Sequence, residues 1–100
     1  MSEYDLRQLT LIKERIVEFE KGNLELGYLV GDVEALLNSL QDTEDSWREA
    51  AHEEWWTLEQ VYAVALDRGQ DTLPKESKEL VEQAVSKLKS LLELAATEAG

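Results

Sequence analysis

Apolar residues recur at intervals of three and four along almost the whole chain, and polar gaps interrupt them at three places. Leu6, Leu9, Ile12, Ile16 and Phe19 form one stripe. It predicts a first helix over residues 3–21 that stops at Gly22, the residue type most at ease in the left-handed conformation that ends helices. Leu26, Leu29, Val30, Val33, Leu36, Leu37 and Leu40 obey the i, i+3, i+4, i+7 rule without a miss and predict a second helix over 25–40. Beyond the polar gap Gln41-Asp42-Thr43, a third helix runs to about Arg68, with Gly69 as its stop. Asp42 or Thr43 is placed to cap it, and Glu44 and Asp45 suit the positive end of its dipole. A fourth helix starts near Pro74, a residue that a first turn tolerates. It carries Leu80, Val81, Ala84, Val85, Leu88, Leu91, Leu92 and Ala95.

No segment alternates apolar and polar with period two, so no sheet is predicted. Connections of roughly two to five residues force consecutive helices to pack as antiparallel neighbours. The predicted fold is all-α: an up-down antiparallel bundle of four helices, forming a single helical domain over residues 1–100. The third helix, at about 25 residues and roughly 37 Å, is expected to be the longest.

A projection of that helix at about 100° per residue separates its side chains into faces. Trp47, Ala51, Trp55, Leu58, Val61, Tyr62 and Ala65 share one direction and form the core stripe. Glu54 falls inside the stripe, where a carboxylate reaches solvent, meets a cation such as Arg15 or Lys87, or else stays buried and uncharged as a candidate functional group. Trp56 points the opposite way, amid Glu49, His52, Glu53, Gln60 and Ala63. Tyr28 likewise turns away from the leucine stripe of the second helix, toward Gly31 and Ala35. Gly27 and Gly31 have a Gly-x-x-x-Gly spacing that suits close approach of a neighbouring helix. Aromatic residues on a polar face often pack against another helix. Left in water, they are the residue types that most often anchor interfaces.

Charge sharpens this picture. Residues 22–67 hold eleven carboxylates against the single cation Arg48, so that segment carries −10 of the chain's net −12, while both flanks are nearly neutral. Such a field repels nucleic acid and anionic membrane and attracts a basic protein partner. The cations Arg7, Lys13, Arg15 and Lys21 of the first helix are interleaved with Glu14, Glu18 and Glu20, which also argues against nucleic-acid binding. No apolar run approaches the 18 or so residues of a membrane span, and the N-terminus lacks a signal-peptide pattern, so a cytoplasmic location is expected.

Candidate chemistry is thin. The chain has no cysteine and one histidine, which removes thiol catalysis, disulfides and multi-histidine metal sites. Glu49-x-x-His52 matches one element of a di-iron bundle, but such sites need two elements and inward-facing ligands. The run His52-Glu53-Glu54-Trp55-Trp56 has Trp where a zincin needs its second His. Glu49, Glu53 and Asp32 imitate half of the magnesium site of all-α nucleotide pyrophosphohydrolases, without the basic groups that would meet phosphates. No cofactor and no enzymatic activity are expected.

The segment from Leu58 to Gly69, Leu-Glu-Gln-Val-Tyr-Ala-Val-Ala-Leu-Asp-Arg-Gly, resembles one found in small bacterial proteins without an assigned activity. In size, acidity and helical pattern the chain is also similar to the acidic immunity proteins that neutralise bacterial nuclease toxins. That likeness covers bulk character, and no residue-level motif of theirs is carried over. It implies an acidic interaction module that masks a basic partner. Glu25, Asp32, Glu34, Glu49, Glu53 and Glu59 would steer the partner and line the rim, and Trp56 and Tyr28 would anchor it. The alternative is self-association as a homo-oligomeric helical accessory protein, in which the charge only maintains solubility.

Ten excess charges within 46 residues repel one another in the folded state. Thermal stability at low salt is therefore expected to be equal or higher at pH 5 than at pH 8, with a smaller gap at high salt. Thermal melts at the two pH values test this; a steep loss between pH 7 and pH 5 would show that paired carboxylates dominate instead.

Overall fold

Helices form where the apolar period is 3.6: α1 (Glu3–Glu20), α2 (Leu26–Asn38), α3 (Asp45–Asp67) and α4 (Lys75–Ala99). The computed structural model describes residues 2–99, with side chains placed through residue 97, and contains no strand among them. Residues 1 and 100, the ends of the domain expected over 1–100, lie outside the described residues. Each helix packs on its neighbour in the chain and α1 also meets α4, while among the described residues neither diagonal pair brings its backbones close, so the four close into a ring around a shared core. Trp55 in α3 reaches Val30 in α2, and Trp47 at the start of α3 reaches Leu91 late in α4, as antiparallel neighbours require. The chain is an all-α, up-down antiparallel four-helix bundle.

Both glycine stops are left-handed, Gly22 at φ +82 and Gly69 at φ +62. After α1, the Gly22 amide donates to Phe19 O (3.0 Å) and the Asn23 amide to Glu18 O (2.9 Å). After α3, Gly69 donates to Leu66 O (3.1 Å) and Gln70 to Ala65 O (2.9 Å). This paired Schellman pattern satisfies the last carbonyls of each helix. The longest helix is α4, at 25 residues, rather than α3, at 23. It continues through the alanine-rich tail, and alanine is the best helix former.

The core collects Leu9, Ile12, Ile16, Leu29, Val33, Leu37, Trp47, Leu58, Val81, Leu88 and Leu92 from all four helices. Leu80 departs from the expected stripe and is 48% exposed. By projection Leu80 lies about 90° from the centre of the stripe formed by Val81, Ala84, Val85, Leu88 and Leu92, which leaves it at the outer edge. The two inner tryptophans also tie helices together by hydrogen bonds. Trp47 Nε1 donates to Leu91 O (2.8 Å) and Trp55 Nε1 to Val30 O (2.9 Å). The indole N–H of each is thus satisfied where it leaves water.

The start of α3 differs from expectation. Glu44, not Asp42 or Thr43, occupies the N-cap, and its side chain caps nothing. Asp42 and Thr43 are engaged by Asp5, a residue of α1 with no exposed surface although it lies at one end of the bundle. The Asp5 carboxylate accepts the Gln41 amide (2.9 Å), the Asp42 amide (2.7 Å) and the Thr43 hydroxyl (2.9 Å). Ser2 caps α1 by accepting the Asp5 amide at 3.1 Å, which fixes the turn carrying that carboxylate. Burial opposes the charged form of Asp5, but the amides of Gln41 and Asp42 and the hydroxyls of Thr43 and Ser2 outweigh it and hold the pKa below the ordinary aspartate value of 3.8.

A depressed folded-state pKa contributes stability that is present above the unfolded pKa and lost as pH falls through the folded one. The Asp5 contribution is therefore present at pH 5, begins to fall as pH approaches the ordinary aspartate value of 3.8, and is lost as pH drops on through the lower folded-state pKa. Asp5→Ala, which removes the charged acceptor of the Gln41 and Asp42 amides and the Thr43 hydroxyl, is expected to cost about 3 kcal/mol. It should also flatten the acid limb of stability below pH 4, and urea titrations of both proteins at pH 3 and pH 6 check the two effects.

Candidate interaction surface

The ring leaves one outer face on each helix, and on α2 and α3 that face carries the acidic excess together with large aromatics. Tyr28 on α2 is 66% exposed and Trp56 on α3 is 55% exposed. Trp47, Ala51, Leu58, Val61 and Ala65 fill the core side of α3, with Trp55 and Tyr62 half-buried at its edge toward α2. Trp56 adjoins Trp55 at a ring-centroid distance of 6.4 Å, and the half-buried His52 meets Trp55 edge-on at 5.9 Å. The His52 ring thus packs on an aromatic neighbour. Among the described residues, no group of three or more His, Asp and Glu side chains converges as a metal site would need.

Of the other residues singled out for this surface, Glu25, Glu34, Glu49 and Glu53 are exposed and Glu59 is half-buried. Projection places Glu49, Glu53 and Glu59 within about 60° of Trp56 on α3, and Glu25 a similar angle from Tyr28 on α2. Asp32 stands apart. It is turned toward α1, where Arg15 Nε lies 3.4 Å from its carboxylate. Its charge is thus partly compensated within the bundle. Arg48 is turned inward. Its Nη2 donates to Leu40 O (3.0 Å) just beyond α2, and its Nε is buried without a partner. The one cation of the acidic segment therefore does little to screen the outer face.

Glu54, set in the core stripe by projection, is half-buried. Neither Arg15 nor Lys87 pairs with it, and Arg15 is instead engaged by Asp32. The only other ion pair among the described residues joins Lys89 to Glu20 at 3.1 Å. The Gly-x-x-x-Gly spacing matters at one position only. A Cβ on Gly27 would lie 2.7 Å from Cζ and Oη of Tyr62, whereas Gly31 has open space beside it. Tyr62 thereby joins Tyr28, Gly27 and Glu25 around a concavity of about 310 Å³. Its role there was hidden in the sequence, where it reads as a core residue. The signal that could have revealed it was Gly27, a residue costing about 1 kcal/mol inside a helix unless something must come close. Larger concavities, of about 580 and 500 Å³, follow the α1–α4 seam, where lysines and glutamates alternate over an apolar floor.

No protein-family model matches the chain, and no curated protein or solved structure is significantly similar to it. No helix is long and apolar enough to cross a membrane among the described residues.

Trp56 lies outside the core, whereas Trp47 and Trp55 each fill an interhelical space and make a hydrogen bond. Trp56→Ala is expected to cost less than about 1 kcal/mol of stability, against roughly 3–5 kcal/mol for Trp47→Ala or Trp55→Ala. Guanidinium unfolding of the three variants measures the difference, and equal losses at Trp55 and Trp56 would remove Trp56 from the outer surface.

Proposed function

We propose that this protein is an acidic helical interaction module whose α2–α3 face masks a basic protein partner, in the manner of an immunity protein or inhibitor. The observation that carries the reading is the pairing of two exposed aromatics, Trp56 and Tyr28, with carboxylates that form no ion pair among the described residues: Glu25, Glu34, Glu49, Glu53 and Glu59. Aromatics supply apolar anchoring once water is excluded, and the surrounding charge accelerates encounter and rejects acidic competitors. Asp32 contributes to the field more than to contact, since Arg15 holds it. Self-association through the same face would bring two surfaces of like charge together, which favours a basic partner over a second copy.

Affinity capture from the native host, followed by association kinetics of the captured protein, tests the proposal. The on-rate is expected to fall at least about tenfold between low and high salt. Trp56→Ala should weaken the complex by about 2 kcal/mol, chiefly through faster dissociation. Sedimentation of the chain alone provides the counter-test. A stable oligomer that persists at high salt and dissociates on Trp56→Ala would replace this reading with self-association.

A further inference from the structure

The concavity beside Tyr28 is built differently from the rest of the acidic surface. Gly27 makes it possible: without a side chain there, the Tyr62 ring lies directly against the α2 backbone. Tyr28, the next residue, provides a second aromatic wall that is largely exposed. Glu25 stands at the rim as the N-cap of α2, yet its side chain caps nothing and enters neither ion pair. Ser, Thr, Asp or Asn at an N-cap would bond the first amides and stabilise the helix by about 1 kcal/mol. Glutamate forgoes that gain and leaves an uncommitted carboxylate beside two tyrosine rings. The positive end of α2 lies near the negative end of antiparallel α3, so the two dipoles largely offset and Glu25 sets the sign of the local field.

We propose that this concavity is a cation site that receives an arginine guanidinium from the basic partner. The guanidinium plane stacks on a tyrosine face, and the Glu25 carboxylate accepts its N–H groups. Three properties favour this ligand. A guanidinium is planar and weakly hydrated, so it gives up little water on stacking. The ring quadrupole attracts a cation placed over its face. A carboxylate accepts the two-pronged donor pair of arginine in a charge-assisted geometry that the ammonium of lysine cannot reproduce. A volume of about 310 Å³ suits one side-chain head group with its adjoining methylenes, not a folded segment. This inference rests on the reading of the α2–α3 face as the docking surface and assigns one contact within it.

Titration of the full chain with N-acetyl-arginine amide and N-acetyl-lysine amide, followed by NMR of the Gly27 amide and the Tyr28 and Tyr62 rings, tests the site. Saturable shifts at these three residues are expected, with arginine binding roughly fivefold tighter than lysine. Glu25→Gln and Tyr28→Ala should each weaken arginine about tenfold. Glu44→Gln removes the same charge from another N-cap whose side chain caps nothing, and it should leave the affinity unchanged. Tyr62→Phe keeps the ring and should keep the binding. Equal losses in the Glu25 and Glu44 variants would reduce the site to a general field and overturn it. Shifts confined to Trp56, Glu49 and Glu53 with an oligoarginine peptide would also overturn the site, while leaving the acidic face as the docking surface. No shift anywhere with that peptide at low salt would overturn both.

Discussion

Each helix of the ring can bury only the side it turns to the common centre, because its two neighbours cover it from that side and leave the other in water. This constraint sorts the chain. Where the sequence repeats apolar residues over one stripe, as in Leu29, Val33 and Leu37, the stripe disappears from the surface. Where two large neighbours straddle the edge of that side, the outer one stays in water. Val81 is buried and Leu80 is not; Trp55 bonds to the α2 backbone and Trp56 is left in solvent. An exposed tryptophan in this fold is thus the geometric result of consecutive aromatics on a helix with one covered side. The surface it creates is the one on which the proposed function rests.

The acidic half remains folded because its few non-covalent ties are placed where they matter most. Asp5 comes from the nearly neutral first helix and fastens the turn between α2 and α3 through three short hydrogen bonds. Arg48 secures the same region by donating to Leu40 O. Two indole N–H groups then connect α3 to both of its neighbours. Apart from the Thr43 hydroxyl on Asp5, each tie uses a backbone group as partner. The outward carboxylates Glu25, Glu34, Glu49 and Glu53 take no part in these ties or in either ion pair, so their charge stays at the surface.

Periodicity determined the four helices, their antiparallel order, both glycine stops and the outward direction of Trp56 and Tyr28, since these follow from bond geometry repeated along a single chain. It also located the charge, which is additive and independent of folding. What it could not determine was which residues from distant segments meet. Asp5 and Gln41 are 36 positions apart, and nothing local marks Asp5 as the acceptor that displaces Asp42 and Thr43 from their expected capping role. Nor does local pattern choose Asp32 over Glu54 as the partner of Arg15, or show that Tyr62 leans over Gly27 rather than into the core. Those outcomes depend on the register between helices. That register is a property of how whole faces interlock, and it is decided only when all four helices pack at once.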